Sequence, residues 1–150
     1  MEPITFSVTG TPRPQPRPRL ARGRVVSTAD QNARRWISLV EASARSALAA
    51  KGQAPSPVDV TMRFRMPTPK AARHGSPHTF VPDADNLAKL ALDAMVRVGL
   101  IPDDSSVSRL LVQKVWAKAG GADFVIGVDQ SVAPAVAPVL PPAWVGGFGG

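Results

Sequence analysis

Residues 58–66 carry the pattern that most restricts the fold, because apolar and polar side chains alternate over the whole segment. The apolar positions are Val58, Val60, Met62, Phe64 and Met66. Successive side chains of a strand point to opposite faces, so this segment predicts a half-buried strand. Its outer face would be basic, because Arg63 and Arg65 lie between the apolar positions.

Two other segments have apolar residues at helical spacing, and each predicts a helix that packs by one face. The first begins at residues 27–28, runs to about residue 50 and stops at Gly52, with Trp36 in the core. The second covers residues 85–98 and is closed by Gly99. A capping box for the first helix is formed by Ser27 with Asp30 or by Thr28 with Gln31.

Shorter apolar runs predict the remaining strands, and the order of elements then gives the fold class. These strands cover residues 4–8, 24–26, 107–116 and 124–128. The order predicts an α/β (α+β) fold, with a mixed sheet of four to five strands and two main helices. Residues 1–130 form the predicted domain, and residues 131–150 are a Pro-, Ala- and Gly-rich tail that we expect to be disordered.

The composition favours a polyanionic partner and excludes several kinds of site. Lys and Arg number 18 against 11 Asp and Glu, a net charge of +7, so nucleic acid is the first partner to consider. The absence of cysteine excludes disulfides, thiolate zinc sites and cysteine nucleophiles. No apolar run is long enough to cross a bilayer and the N-terminus has no signal-peptide pattern, so we expect no membrane partner and a cytoplasmic location.

Basic side chains concentrate in residues 13–35, which hold seven arginines and one acid. Prolines separate several of these arginines and stiffen the backbone, which suits contacts with DNA phosphates. Arg63 and Arg65 would either extend this surface or solvate the sheet. The DNA-binding candidates are Arg13, Arg17, Arg19, Arg22, Arg24, Lys70 and Arg73.

Acidic side chains concentrate in residues 83–104, which hold five of the eleven acids. If the backbone is extended at Asp83 and Asp85, their carboxylates share a side, and Lys89 follows one helical turn later. Magnesium is usually held by one or two carboxylates together with substrate phosphates, and Asp103 or Asp104 could add a third. Such a site is suited to metal-assisted phosphodiester hydrolysis.

Each of these acids also has a purely structural interpretation. Aspartate is a favoured helix cap, and Asp103–Asp104 after a proline is typical of a turn. The series Asp85, Lys89, Asp93, Arg97 has the i,i+4 spacing of a solvated helix face, and we interpret Asp93 as a salt-bridged residue. His74 and His78 lie in a loop that does not fix a metal-binding spacing, so we expect phosphate contact or exposure.

The string Pro82-Asp83-Ala84-Asp85-Asn86-Leu87-Ala88-Lys89, the Asp93-Ala94 that follows and the later Asp103-Asp104 together resemble the RusA family of Holliday junction resolvases. The likeness covers roughly residues 4–128 and includes the proline- and arginine-rich segment at residues 12–19. The resemblance implies that Asp83, Asp85 and Asp104 are the catalytic, metal-binding aspartates and that Lys89 is the catalytic lysine. It also implies a structural role for Asn86 and leaves Asp103 as the less certain ligand.

The same resemblance implies a mixed α/β fold and a homodimer that nicks four-way DNA junctions symmetrically with Mg²⁺ or Mn²⁺. It further implies a phage or prophage origin.

The alternative functions are a flap- or fork-specific nuclease and a non-catalytic module that binds nucleic acid through the basic loops. The helix predicted over residues 85–98 has 14 residues and spans about 20 Å, so it separates Asp85 at its start from Asp104 beyond its end. Asp104 therefore reaches Asp85 either by a loop that folds back or from the partner subunit of the dimer.

Overall fold

The computed structural model describes residues 2–16, 19–26 and 30–131. Two single 3₁₀ turns, Ala71–Arg73 and Asp104–Ser106, lie in connections between the longer elements. The other elements, in chain order, are β1 (Ile4–Thr9), β2 (Arg19–Ala21), β3 (Arg24–Val26), α1 (Gln31–Lys51), β4 (Val58–Pro67), α2 (Ala84–Arg97), β5 (Val107–Ala117) and β6 (Gly121–Val128).

Four strands form one mixed sheet in the order β1–β6–β4–β5. The pairs β1–β6 and β6–β4 are antiparallel, whereas β4 and β5 are parallel and α2 lies in the crossover between them. Parallel neighbours need a long connection, and the helix supplies it. The predicted α+β fold, with a mixed sheet and two main helices, is confirmed.

The hydrophobic core lies between the two helices and one face of this sheet. The alternating apolar side chains of β4 all point into it, as the sequence predicts, and Phe64 packs edge-on against Phe124. Trp36 of α1 is buried in the same core, which confirms its predicted role. In α2 the buried positions recur at helical spacing, so the helix packs by one face and leaves the other for solvent and for the site.

The prediction that β4 has a solvated basic face is wrong. Thr61 and Arg63 are only 1% and 8% exposed, and Arg65 forms an ion pair with Asp123 at 3.2 Å. The reason is the position of β4 between β5 and β6, whose side chains flank its second face. Burial also raises the pKa of Asp59 on this face, and Arg109 at 3.9 Å only partly offsets that effect.

The helix boundaries agree with the sequence except at the start of α1. Asp30 is the N-cap, and its carboxylate accepts a 2.7 Å hydrogen bond from the Ala33 N–H. The predicted capping residues 27–28 lie outside the described residues. Helix α1 ends at Gly52, as predicted, and Gly99 follows the C-cap of α2 with the positive φ that favours glycine.

A two-stranded hairpin, β2–β3, follows the proline-rich loop. The sequence predicts β3 but not its partner β2. Arg22 and Gly23 both have positive φ, the combination that a type I′ hairpin turn requires. The structure describes no helix long and apolar enough to cross a membrane. The predicted tail falls outside the described residues from position 132 onward.

Candidate active site

Two of the predicted aspartates lie at the start of α2. Asp83 occupies the N-cap position, but its side chain accepts no hydrogen bond from the helix, so its carboxylate is not used for capping. Asp85 lies in the first turn, and both residues are exposed. Because the helix begins at Ala84, the extended backbone that would place both carboxylates on one side does not continue past Asp83.

Asp85 faces a cavity of about 560 Å³ between α2 and β5, which we call the α2–β5 cavity. Its polar lining residues are Asp85, Lys89, Asp93 and Asp104. The remaining lining is apolar and comes from α2 and β5: Ala88, Leu92, Leu110, Leu111 and Val112. The structure thus brings three of the four residues named by the resemblance, Asp85, Lys89 and Asp104, to one cavity of one chain.

The segment after α2 explains how Asp104 reaches this cavity without a partner subunit. Leu100 and Ile101 are fully buried, so the chain turns back into the core directly after Gly99. The next residues then form the 3₁₀ turn Asp104–Ser106, which packs on α2 before β5 begins. Of the two paths considered for Asp104, the structure has the loop that folds back within the chain.

The two neighbouring acids of this turn differ in their surroundings. Asp103 accepts hydrogen bonds from the hydroxyl and the backbone N–H of Ser105, and these bonds lower the pKa of its carboxyl group. Asp104 has no such capping role and lines the α2–β5 cavity. Asp103 is therefore occupied by the local structure, whereas Asp104 is available to a ligand in the cavity.

Lys89 and Asp93 form an i,i+4 ion pair on α2, with 3.8 Å between the ammonium and the carboxylate. This ion pair confirms the salt bridge that the i,i+4 spacing predicted for Asp93. Asp93 is not only a surface residue, however, because its side chain is 30% exposed and lines the same cavity as Lys89.

Asp83 lies on the other side of the α2 start, in a second cavity of about 380 Å³ that we call the loop cavity. This cavity lies where the proline-rich loop meets the loop that leads into α2. The backbone N–H of Gln15 donates a 3.0 Å hydrogen bond to the Asn86 carbonyl and holds the two segments together. The residues that line the loop cavity are Thr11, Pro12, Arg13, Pro14, Met66, Val81, Pro82, Asp83 and Asn86.

Lys114 of β5 fixes the segment directly before Asp83. Its ammonium donates hydrogen bonds of 2.7 Å to the Phe80 carbonyl and 2.8 Å to the Pro82 carbonyl. The second of these carbonyls belongs to the residue next to Asp83. Sequence reasoning missed Lys114, because a lysine in a strand gives no local signal that it binds a distant loop.

The two histidines form contacts within the loop that leads into α2. His74 Nε2 donates a 2.8 Å hydrogen bond to the Thr68 carbonyl. His78 is 6% exposed, and its ring lies 4.2 Å from that of Trp116, so the expected exposure is wrong for this residue. Burial, and next the charge of Lys114, lower the pKa of His78. The loop needs these contacts because it has little regular secondary structure.

The remaining DNA-binding candidates differ in how much the structure shows of them. Arg13 is half-buried in the loop cavity, and the Arg73 guanidinium lies 5.5 Å from the ring of Trp116. Arg17 and the side chain of Arg19 lie outside the described part of the chain. The exposed candidates are Arg22, Arg24 and Lys70.

The chemistry of the α2–β5 cavity suits a hard divalent cation. Its oxygen donors are carboxylates, the ligands that magnesium prefers, and one or two of them suffice when substrate phosphate completes the shell. Within residues 2–16, 19–26 and 30–131, no three acidic or imidazole groups converge closely enough to hold an ion by themselves. The donor set therefore fits a cation bound jointly by protein and phosphate.

Comparison with known proteins identifies the family. No curated protein matches the chain at a significant level of similarity. The family model for endodeoxyribonuclease RusA matches residues 9–126, which include both loops, α2, the Asp104 turn and both cavities. This match covers well over half of the sequence. The chain therefore belongs to the RusA family of endodeoxyribonucleases.

Proposed function

We propose that this protein is a metal-dependent endodeoxyribonuclease that binds four-way DNA junctions and resolves them by paired, symmetric nicks. The family supports endonuclease activity on DNA. The observation that carries the finer proposal is the α2–β5 cavity, where Asp85, Lys89 and Asp104 meet. A basic chain that gathers carboxylates beside an arginine-rich loop combines affinity for DNA with ligands for a cation.

The residues of the site divide the work of phosphodiester hydrolysis. Asp85 and Asp104 would hold Mg²⁺, or alternatively Mn²⁺, from the α2–β5 cavity, and Asp83 would contribute from the edge of the loop cavity. The chemistry that a cation would supply at these carboxylates is activation of the attacking water and neutralisation of charge on the phosphate. The Lys89 ammonium holds an oxygen of the scissile phosphate and offsets the negative charge that develops as the P–O bond breaks.

Affinity for the junction comes from the basic loops. The exposed arginines of the β2–β3 hairpin, with Arg13 and Lys70, contact phosphates, and these contacts carry binding but not cleavage. Their positive charge offsets repulsion between DNA and the acidic site. Substitution of one aspartate should therefore abolish cleavage and preserve binding.

We further propose a homodimer with one complete site in each subunit. A four-way junction presents two equivalent strands, and a two-fold pair of sites matches that symmetry. Because Asp85 and Asp104 of one chain line one cavity, each subunit can supply its own site. We expect the protein to act in the bacterial cytoplasm and to be encoded by a phage or prophage.

Incubation of the purified protein with a labelled synthetic four-way junction, with Mg²⁺ or with a chelator, tests this proposal. Asp104→Asn should reduce nicking by at least a hundredfold, because it removes a charged ligand, while junction binding remains. Asp103→Asn is the matched control and should remain active, since an amide oxygen can still accept from the Ser105 N–H.

The same assay separates the alternatives. Equal nicking by the two variants, or nicking that survives chelation, would contradict the metal site. Binding without any nicking would favour a non-catalytic module. If flap or fork DNA competes better than a four-way junction and is cut faster, the substrate assignment is wrong while the nuclease assignment holds.

A further inference from the structure

A third cavity, of about 380 Å³, lies between the end of β1 and the first turns of α1. We call it the basic cavity. Its wall includes Trp36 and Leu39, and its mouth carries polar side chains from both elements. The complete set of lining residues is Thr9, Gly10, Thr11, Arg13, Asn32, Arg35, Trp36 and Leu39.

The charged side chains that line the basic cavity are all positive. Both of its charged residues, Arg13 and Arg35, are arginines, and no carboxylate lines it. Asn32 and the two threonines add hydrogen-bond donors. In the described part of the chain neither guanidinium forms an ion pair, so no described carboxylate neutralises their charge. Planar guanidinium groups bind phosphate oxygens in a bidentate manner, which makes a phosphate the best-matched ligand.

The position of the basic cavity connects it to the candidate active site. Thr11 and Arg13 line both this cavity and the loop cavity that contains Asp83. The loop that carries them is held to the start of α2 by the hydrogen bond from Gln15 to the Asn86 carbonyl. A strand of DNA that runs along this loop would therefore meet arginines at one end and the acidic residues at the other.

We propose that the basic cavity is a subsite for a backbone phosphate of the DNA strand that is cut, displaced along the strand from the scissile phosphate. The inference rests on the proposed function and adds a residue, Arg35, that neither the motif nor the arginine-rich loop indicates. The subsite fixes the register of the strand, so it positions the scissile phosphate at Asp83 and Asp85. Its ligand is a phosphodiester of DNA, and free phosphate is the competing source to be tested.

Two adjacent arginines of α1 give a matched test. Arg34 and Arg35 are both exposed on the same helical turn, but only Arg35 lines the cavity. Binding to a labelled four-way junction is measured with chelator present, over a range of salt concentrations. Arg35→Gln should weaken binding at least fivefold and lower the slope of log affinity against log salt by about one, because one phosphate contact is lost. Arg34→Gln should change affinity less than twofold.

A second pair of variants guards against misfolding and tests the sign of the charge. Asn32→Asp introduces a carboxylate into the cavity and should weaken binding more than Gln31→Glu, its exposed neighbour outside the cavity. Thermal unfolding of all four variants checks that the fold is retained. Inorganic phosphate at millimolar concentration should compete only weakly with the junction, because a single phosphate lacks the neighbouring contacts of a strand.

Single methylphosphonate substitutions then locate the phosphate. In the wild-type protein, a methylphosphonate at one position outside the scissile phosphate should weaken binding. The Arg35→Gln variant should lose its sensitivity to the methylphosphonate at that one position and keep its sensitivity at all others. If Arg34→Gln and Arg35→Gln behave alike, or if no position loses its effect in Arg35→Gln, the subsite is wrong while the proposed function stands. If the wild-type protein does not bind the junction, the proposed function fails, and the subsite with it.

Discussion

Replacing Lys114 by methionine removes the ammonium group that holds the loop before Asp83 and keeps the aliphatic stem in place. The two hydrogen bonds to the Phe80 and Pro82 carbonyls are charge-assisted, and bonds of this kind contribute about 1.5–3 kcal/mol each. The bond to Phe80 is exposed, so water replaces much of it after the substitution. We therefore expect the free energy of unfolding to fall by about 2 kcal/mol, roughly a thirtyfold change in the unfolding equilibrium.

Urea unfolding followed by tryptophan fluorescence measures this loss as a lower midpoint with an unchanged slope. Lys118→Met is the matched control, because Lys118 is exposed just past the end of β5 and makes no hydrogen bond or ion pair with the described residues. An NMR titration gives a second readout. The pKa of His78 should rise when the Lys114 charge is removed, but not to its ordinary value, because burial is the larger cause of the shift.

The proposed function adds a consequence for activity. A loop that is less firmly held should position Asp83 less well, so Lys114→Met should need more Mg²⁺ for half-maximal nicking while junction binding stays the same. If Lys114→Met and Lys118→Met unfold at the same urea concentration and the pKa of His78 does not move, the two hydrogen bonds contribute nothing and the loop is fixed by other contacts.

Three further predictions concern the site, a helix end and the last strand. Mixing Asp85→Asn and Asp104→Asn subunits should restore no nicking in a strand-cleavage assay, because both residues line one cavity of one chain. Asp30→Ala should lower the free energy of unfolding by about 1 kcal/mol in urea titration, since it removes the N-cap of α1. Hydrogen bonds, of which the one from Ser108 has the largest effect, lower the pKa of Asp129 from 3.8 to about 2. The ionised carboxylate therefore stabilises the folded state fully above pH 3.8, and this stabilisation is lost as the pH falls toward 2. Ser108→Ala should raise that pKa in an NMR titration.

Local patterns predicted the elements whose stability depends on one buried face. The alternation of β4 and the helical spacing of α1 and α2 each require a core on one side, and the core lies there. The second face of β4 could not be predicted in the same way. Its burial depends on β5 and β6 pairing on either side, a contact between segments far apart in sequence that leaves no periodic signal in β4 itself.

The sequence motif indicated candidate acids and a candidate lysine, but not the residues that hold the loops around them. The order and spacing of the motif point to Asp85, Lys89 and Asp104, and the structure places these three along one cavity, while their catalytic roles stay a prediction. Lys114 and Arg35 belong to no such motif. Each contacts or faces a segment that is distant in sequence and that only folding brings next to it. The fold-back of Asp104 likewise depended on the burial of Leu100 and Ile101, which chain length alone left open.

Asp83 and Asp85 line two different cavities, and this placement bears on how the proposed enzyme would position a DNA strand. Asp83 precedes the first residue of α2 and lines the loop cavity, whereas Asp85 lies in the first turn of α2 and lines the α2–β5 cavity. Under the proposed function, Asp83 and Asp85 would therefore contribute their carboxylates from two neighbouring cavities. Under the proposed function, the backbone turn at Asp83 would couple the register of the bound strand to the position of the cut.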